Sequence, residues 1–226
     1  MLELLIIRHG MSVRNHYTDL AFEGDTSLLD EHMVTGKDEA AWPLWADGET
    51  QARKTGEWLK HQFEGAFAAA YTSPFVRAQQ TADLLQLDNV EWITDARIRE
   101  RYWGEYGPET NPLYTTQEYM GDIHRCGHPT WRTRLPRGEA VIDLYPMAEE
   151  FLREAFSKNP DGRIVLVTHG GTMRAMQMVL DGISLDSPER LERVRTDNCS
   201  VMRYRQNGST WKRELVTPWL DPSPLP

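Results

Sequence analysis

Leu2-Glu3-Leu4-Leu5-Ile6-Ile7-Arg8-His9-Gly10 is an apolar run that ends abruptly on a cation, an imidazole and a glycine. A run this short reads as a strand buried on both faces, delivering two functional groups at its C-terminal edge. In open α/β sheets that edge is where ligands bind. A lone strand-end histidine more often satisfies hydrogen bonds than does chemistry, so His9 needs support from elsewhere. It comes 160 residues later, where Arg163-Ile164-Val165-Leu166-Val167-Thr168 ends on His169-Gly170-Gly171. In a parallel sheet both tips lie on one edge.

Between these strands the pattern alternates. Asp47-Gly48-Glu49 caps a helix that carries Ala52, Thr55, Trp58, Leu59 and Phe63 at helical spacing. A strand follows at 68–72, then a helix with Pro74 at its first position and Arg77 in its first turn. A strand at 90–94 comes next, Gly138-Glu139 opens a helix through about residue 156, and 172–180 is helical. Strands at 198–206 and 211–216 and a proline-rich tail close the chain. Strands separated by helices predict an α/β fold, a three-layer α/β/α sandwich with a mostly parallel central sheet, in one domain over 1–226. Two stretches depart from the alternation. Residues 16–43 are polar without sustained period and read as an acidic insertion, and 105–137 is a long irregular segment of the kind that carries function.

The net charge is −9, and no Lys/Arg run supplies the basic face that nucleic acid needs. Between Asn15 and Thr50 nine acids face the single Lys37. From Arg97 to Arg137 seven arginines face five acids, a local reversal that would supply positive potential over the strand ends. No apolar stretch is long enough to span a membrane and no signal peptide is visible, so a cytoplasmic protein is expected. Cys126 and Cys199 form neither a disulfide framework nor a metal pattern. No His/Asp/Glu cluster has ligand spacing, so no metal or other cofactor is expected. Oligomeric state is open, with a homodimer among the options.

Two imidazoles, Arg8, Arg77 and glycine amides including that of Gly170 fit a phosphoryl group, whose oxygens match the guanidinium fork. With this pocket, Arg8-His9-Gly10-Met11-Ser12-Val13-Arg14-Asn15 and Ser73-Pro74-Phe75-Val76-Arg77-Ala78-Gln79-Gln80-Thr81-Ala82 resemble motifs of the histidine phosphatase superfamily, in its phosphoglycerate mutase-like branch. Ile98-Arg99-Glu100-Arg101-Tyr102-Trp103-Gly104-Glu105 and Val167-Thr168-His169-Gly170-Gly171 extend the resemblance in the right order. It implies a phosphoglycerate mutase-like fold in which His9 is the nucleophile that becomes phosphorylated. Arg8, Arg77 and His169 would hold the phosphoryl oxygens, Asn15 would line the same pocket, and Glu100 would donate the proton, with Glu105 a distant second. Glu139 would orient either His169 or an arginine.

Mutases and phosphatases of this family share the phosphohistidine step and differ in the acceptor. The mutases carry a lysine and an adjacent arginine pair beyond the acid loop. Here no lysine occurs between Lys60 and Lys158, and Arg132 and Arg134 are separated by a residue. The expectation is therefore a metal-independent phosphatase acting on a phosphorylated small metabolite, with mutase activity as the alternative. A silent binding member of the fold is a third reading, opposed by the retention of His9, Arg8, Arg77, Glu100 and His169.

Overall fold

A computed structural model describes residues 1–22, 38–63, 67–104, 132, 134, 137–187, 196–208 and 210–223. The expectations that fall on 23–37 and on most of 105–136, including Glu105 and Cys126, lie outside these. The opening run forms β1 (Leu2–Arg8), followed by α1 (Val13–Phe22) and α2 (Ala46–Gln62). Then come β2 (Ala69–Thr72), α3 (Val76–Leu85), β3 (Trp92–Thr94), α4 (Tyr145–Lys158) and β4 (Gly162–Thr168). The described chain closes with α5 (Gly170–Leu180), β5 (Val201–Asn207) and β6 (Thr210–Val216).

Among the described residues the strands form one six-stranded sheet, ordered β3-β2-β4-β1-β5-β6. β1, β2, β3 and β4 run parallel, whereas β5 is antiparallel to β1 and β6 to β5. Alternate side chains of the central strands enter two cores, as the strand period of two requires. Leu4, Ile6, Ile164 and Leu166 pack with α4 and α5 through Phe151, Leu152, Met173 and Met176. Leu5, Ile7, Val165 and Val167 face α2 and α3 through Trp58, Leu59, Ala78, Ala82 and Leu85. Each fully buried aliphatic side chain contributes about 1.5–3 kcal/mol relative to exposure. This two-sided burial is why β1 and β4 read as continuous apolar runs, and it makes the three layers.

Several boundaries shift for local reasons. The N-cap of α2 is Trp45, not Asp47, and it makes no side-chain cap. Instead the Trp45 amide bonds the Met11 carbonyl at 2.8 Å, while Asp47 and Glu49 lie inside the first turn, where they favour the helix dipole. Pro74 precedes α3 rather than occupying its first position; the N-cap is Phe75, whose amide donates to the Ser73 hydroxyl at 3.3 Å. After Gly138-Glu139 the chain makes a short 3-10 turn, Val141–Leu144, before α4 begins. Part of the supposed insertion is regular. Val13 and Tyr17, four apart on α1, bury against Trp42 with Leu20 packed beside them.

Among the described residues no helix is long and apolar enough to cross a membrane.

Candidate active site

The register of the two central strands builds the site. Arg8 pairs with Thr168, so His9 and His169 leave adjacent strands side by side, with ring centroids 5.0 Å apart. The His9 amide bonds the Thr168 carbonyl at 2.9 Å, fixing the strand end. Close backbone approach beyond it depends on Gly48, where a Cβ would lie 2.0 Å from the Met11 carbonyl oxygen. α2 can thus butt against the Gly10-Met11 turn, and Gln51 accepts the Met11 amide at 2.9 Å.

The His9 tautomer follows from its two contacts. Nδ1 lies 2.7 Å from the Gly10 carbonyl, an acceptor only, so Nδ1 carries the proton. Nε2 accepts from Arg77 Nε at 3.2 Å and therefore presents its lone pair to that guanidinium. Burial, then Arg77 and Arg8, hold His9 well below the ordinary histidine range. Arg77 enters from the first turn of α3 and donates its Nη1 to the Glu39 carbonyl at 2.8 Å. Desolvation lowers its pKa to about 10, which still leaves it cationic at neutrality.

His169 is fully buried and is kept neutral first by burial, then by Arg77, His9 and Arg8. Its Nε2 meets Ser73 Oγ at 2.8 Å, and that hydroxyl also accepts the Phe75 amide. If Ser73 donates to Nε2, His169 Nδ1 bears the remaining proton. Among the described residues Nδ1 has no hydrogen-bond partner, and neither does the buried Nε of Arg8. An unpaired buried donor costs about 1–3 kcal/mol, so two at one strand edge suit an anion that satisfies both.

Asn15 is oriented just as firmly. Its Oδ1 accepts from Ser12 N (3.1 Å) and from Asn198 Nδ2 (3.3 Å), leaving its NH2 as donor. Asn198 also clamps the His9 carbonyl at 3.0 Å, within a turn whose Cys199 adopts φ 55. That left-handed buried cysteine stores strain of about 1–3 kcal/mol, held by its amide on the Arg8 and His9 carbonyls.

Glu100 is 8% exposed. Its carboxylate accepts the amides of Arg101 (2.9 Å) and Gly171 (3.4 Å). Gly171 is what admits it, since a Cβ there would stand 2.3 Å from Glu100 Oε1. The acid loop is pinned to α5 by Thr172, which donates to the Arg99 carbonyl. Glu139 takes the arginine half of its predicted alternatives. It grips Arg99 with both oxygens at 2.7 Å and accepts the Tyr102 amide, so it braces the acid loop and makes no contact with His169.

A cavity of about 310 Å³ opens beside these groups, walled by Arg8, Asn15, Glu100 and Gly170 from the predicted set. His9, Arg77 and His169, at 3%, 3% and 0% exposure, do not reach its wall. Arg14, Arg101, Arg174, Trp103 and Thr196 do, and of these sequence reasoning placed only Trp103, together with Tyr102 and Trp131, on the substrate side. The available signals were Arg14 inside the first motif and Arg174 one turn beyond His169-Gly170-Gly171 on the same helix. Among the described residues no three His, Cys, Asp or Glu side chains form a metal-binding group.

A model of the histidine phosphatase superfamily, branch 1, matches residues 4–217. The chain belongs to the histidine phosphatase superfamily. A 2,3-bisphosphoglycerate-dependent phosphoglycerate mutase of Gloeobacter violaceus is 28% identical over 224 residues, covering 96% of this chain and 92% of that protein. Among solved structures, a mycobacterial glucosyl-3-phosphoglycerate phosphatase in complex with VO3 superimposes with a TM-score of 0.71 at 20% identity, covering 95% of this chain and 98% of that one. The α-ribazole phosphatase of Shigella flexneri gives 0.69 at 19% identity, with 95% and 96% coverage. These two likenesses establish a shared histidine phosphatase fold.

The neutral histidines of this superfamily member carry a stability signature. Unfolded histidine gains a proton near pH 6.5, whereas His9 and His169 in the fold resist it to well below that value. The unfolded state then binds more protons, so stability falls on acidification below about pH 6.5. Each histidine contributes at most about 1.4 kcal/mol per pH unit until its folded pKa is reached. Urea midpoints measured from pH 7 to 5 should decline, and the decline should be shallower in His169→Gln. A flat profile over that range would contradict the two buried neutral imidazoles.

Proposed function

We propose that this chain is a phosphomonoesterase that transfers the phosphoryl group of a small phosphorylated metabolite to His9 Nε2 and then to water. The observation that carries the reading is the fixed His9 tautomer, with Nδ1–H on the Gly10 carbonyl and the Nε2 lone pair beside Arg77. In the first step Nε2 forms the N–P bond as the ester P–O bond breaks, and Glu100 gives its proton to the departing oxygen. In the second, the Glu100 carboxylate takes a proton from water, which attacks phosphorus, releases phosphate and restores neutral His9. Arg8, Arg77, the His169 Nδ1–H, the Asn15 amide and the Gly170 amide hold the three phosphoryl oxygens. Because such transition states are loose, positioning and positive charge do most of the work.

The name of the Gloeobacter relative favours a second reading, a phosphoglycerate mutase. Hydrolysis is preferred because the arginines nearest a mutase pattern are engaged elsewhere. Arg132 donates to the Leu185 carbonyl at 2.8 Å and Arg134 pairs with Asp143, both in exposed positions. A screen of phosphorylated metabolites, with and without 2,3-bisphosphoglycerate, separates the two. Free phosphate as the product supports the phosphatase, and an isomerised phosphoglycerate without phosphate release overturns it.

Glu100→Gln tests the acid. Alkyl phosphates need protonation of a poor leaving group, so their hydrolysis should fall about 10²- to 10⁴-fold. Aryl phosphates, with better leaving groups, should lose much less. Equal losses on both would assign the proton to another residue.

A further inference from the structure

Glu39 is a buried carboxylate, 8% exposed, for which the proposed reaction has no role. It does not reach the cavity wall. It sits in the 3-10 turn Glu39–Ala41, in a segment fastened to the helices on either side of it. Asp38 caps the turn through the Ala40 amide at 3.0 Å, the Pro43 carbonyl accepts the Val13 amide of α1 at 3.0 Å, and Gln80 of α3 accepts the Leu44 amide at 2.8 Å. A turn held at both ends is a fixed reference for the groups that bond to it.

Two parts of the reaction bond to Glu39, through different groups. Its main-chain carbonyl accepts Arg77 Nη1 at 2.8 Å, and Arg77 Nε donates to His9 Nε2 at 3.2 Å. Its carboxylate accepts Arg14 Nη1 at 3.2 Å and also accepts the Trp103 amide. Trp103 lies three residues beyond Glu100 in the acid loop, and its ring carries Arg14 at 5.1 Å and Arg101 at 3.9 Å. Glu139 braces that loop at Arg99 and Tyr102, so Glu39 takes its Trp103 end. Burial raises the Glu39 pKa, and Arg14, Arg77 and the Trp103 amide work against the rise. A buried ion pair alone is often replaceable by apolar side chains of similar volume. No apolar side chain, however, can accept both Arg14 and the Trp103 amide at one point.

We propose that Glu39 is a positioning residue that couples the acid loop to the nucleophile, its carboxylate holding Arg14 and the Trp103 amide while its carbonyl holds Arg77 beside His9. The inference rests on the phosphatase reading and adds to it the residue that sets the acid loop and His9 in one frame. Because the carbonyl survives any substitution of the side chain, the two couplings can be separated.

Glu39→Met removes the acceptor at similar volume and leaves the carbonyl to Arg77. For an alkyl phosphate, which needs the proton from the acid loop, kcat/KM should fall on the order of 10- to 100-fold, the scale of a misplacement of about 1 Å. An aryl phosphate, whose leaving group needs less protonation, should lose much less. Glu39→Gln keeps an acceptor oxygen and should recover part of the alkyl rate. A merely structural role would lower both esters alike through the fraction folded, and that outcome overturns the proposal. Amide hydrogen exchange gives a readout that needs no turnover. In Glu39→Met the Trp103 amide should lose protection while the α3 amides, 76–85, keep theirs; loss in both places, or in neither, overturns the coupling. If no ester labels His9 in the unmodified protein while the Trp103 amide alone still loses protection in the variant, the phosphatase reading falls and Glu39 stands as the anchor of that loop. Where Glu39→Met fails to fold, Glu39→Gln decides, since a neutral acceptor should still cost the alkyl ester more than the aryl one, and equal losses overturn the proposal.

Discussion

His9→Ala should lose turnover of every phosphomonoester by on the order of 10⁶-fold, the scale on which hydrolases lose activity when their nucleophile is deleted. The geometry leaves no substitute. Among the residues around the strand edge, His169 is the other imidazole, but its Nε2 is taken by Ser73 and its ring stacks edge-on against Phe75 at 5.0 Å. The side chain of His9 is nearly buried and its hydrogen-bond partners are the Gly10 carbonyl and Arg77, neither of which takes part in the β1–β4 ladder, so its truncation should leave that pairing in place. Labelling separates nucleophile from general base. With a phosphate-labelled ester the unmodified protein should carry an acid-labile, base-stable label, and His9→Ala none. Turnover that persists without protein-bound label would make His9 a base acting on water, and full activity in the variant would remove it from the reaction.

The same two strands explain how much could be read in advance. β1 and β4 are apolar on both faces because each feeds two cores, so their ends, and with them His9 and His169, were visible from pattern alone. Their in-register adjacency was not, since sequence gives the shared edge but not the neighbour. α1 was legible only as one of the short helices the insertion could hold, because Val13 and Tyr17 are two apolar positions in a stretch dominated by Asp19 and the acids beyond it, and their partner Trp42 lies on the far side of that stretch. Glu39 escaped for the same reason. Its acidic surroundings suggest a solvated face, yet it is 8% exposed, and burial raises its pKa while it pairs with Arg14. Arg174 and Arg101 were legible as residues but not as cavity wall, because only tertiary convergence on Gly170 and Trp103 puts them there. Helix starts at Trp45 and Phe75 misled because neither residue caps its helix with its side chain.

Arg77→Met should reduce kcat/KM by about 10³- to 10⁵-fold, the range in which a positioned arginine contributes to phosphoryl transfer. Two effects oppose each other in this variant, and their signs differ. The oxyanion loses a buried guanidinium that remains charged at neutrality with a pKa of about 10, supported by Glu39 and Glu100. His9, however, loses the largest charge acting against its protonation, after burial itself. Its pKa must therefore rise, and the acid limb of the kcat/KM profile must move to higher pH. A purely structural role for Arg77, bonding the Glu39 carbonyl to hold the 3-10 turn Glu39–Ala41, would lower activity and leave that limb in place. Arg77→Lys keeps a charge but cannot donate to His9 Nε2 and the Glu39 carbonyl in one planar fork. It should keep the acid limb near its original position while recovering only part of the rate. A Lys variant equal to Met in rate and in pH profile would show that geometry at Glu39, rather than charge at His9, is what Arg77 supplies.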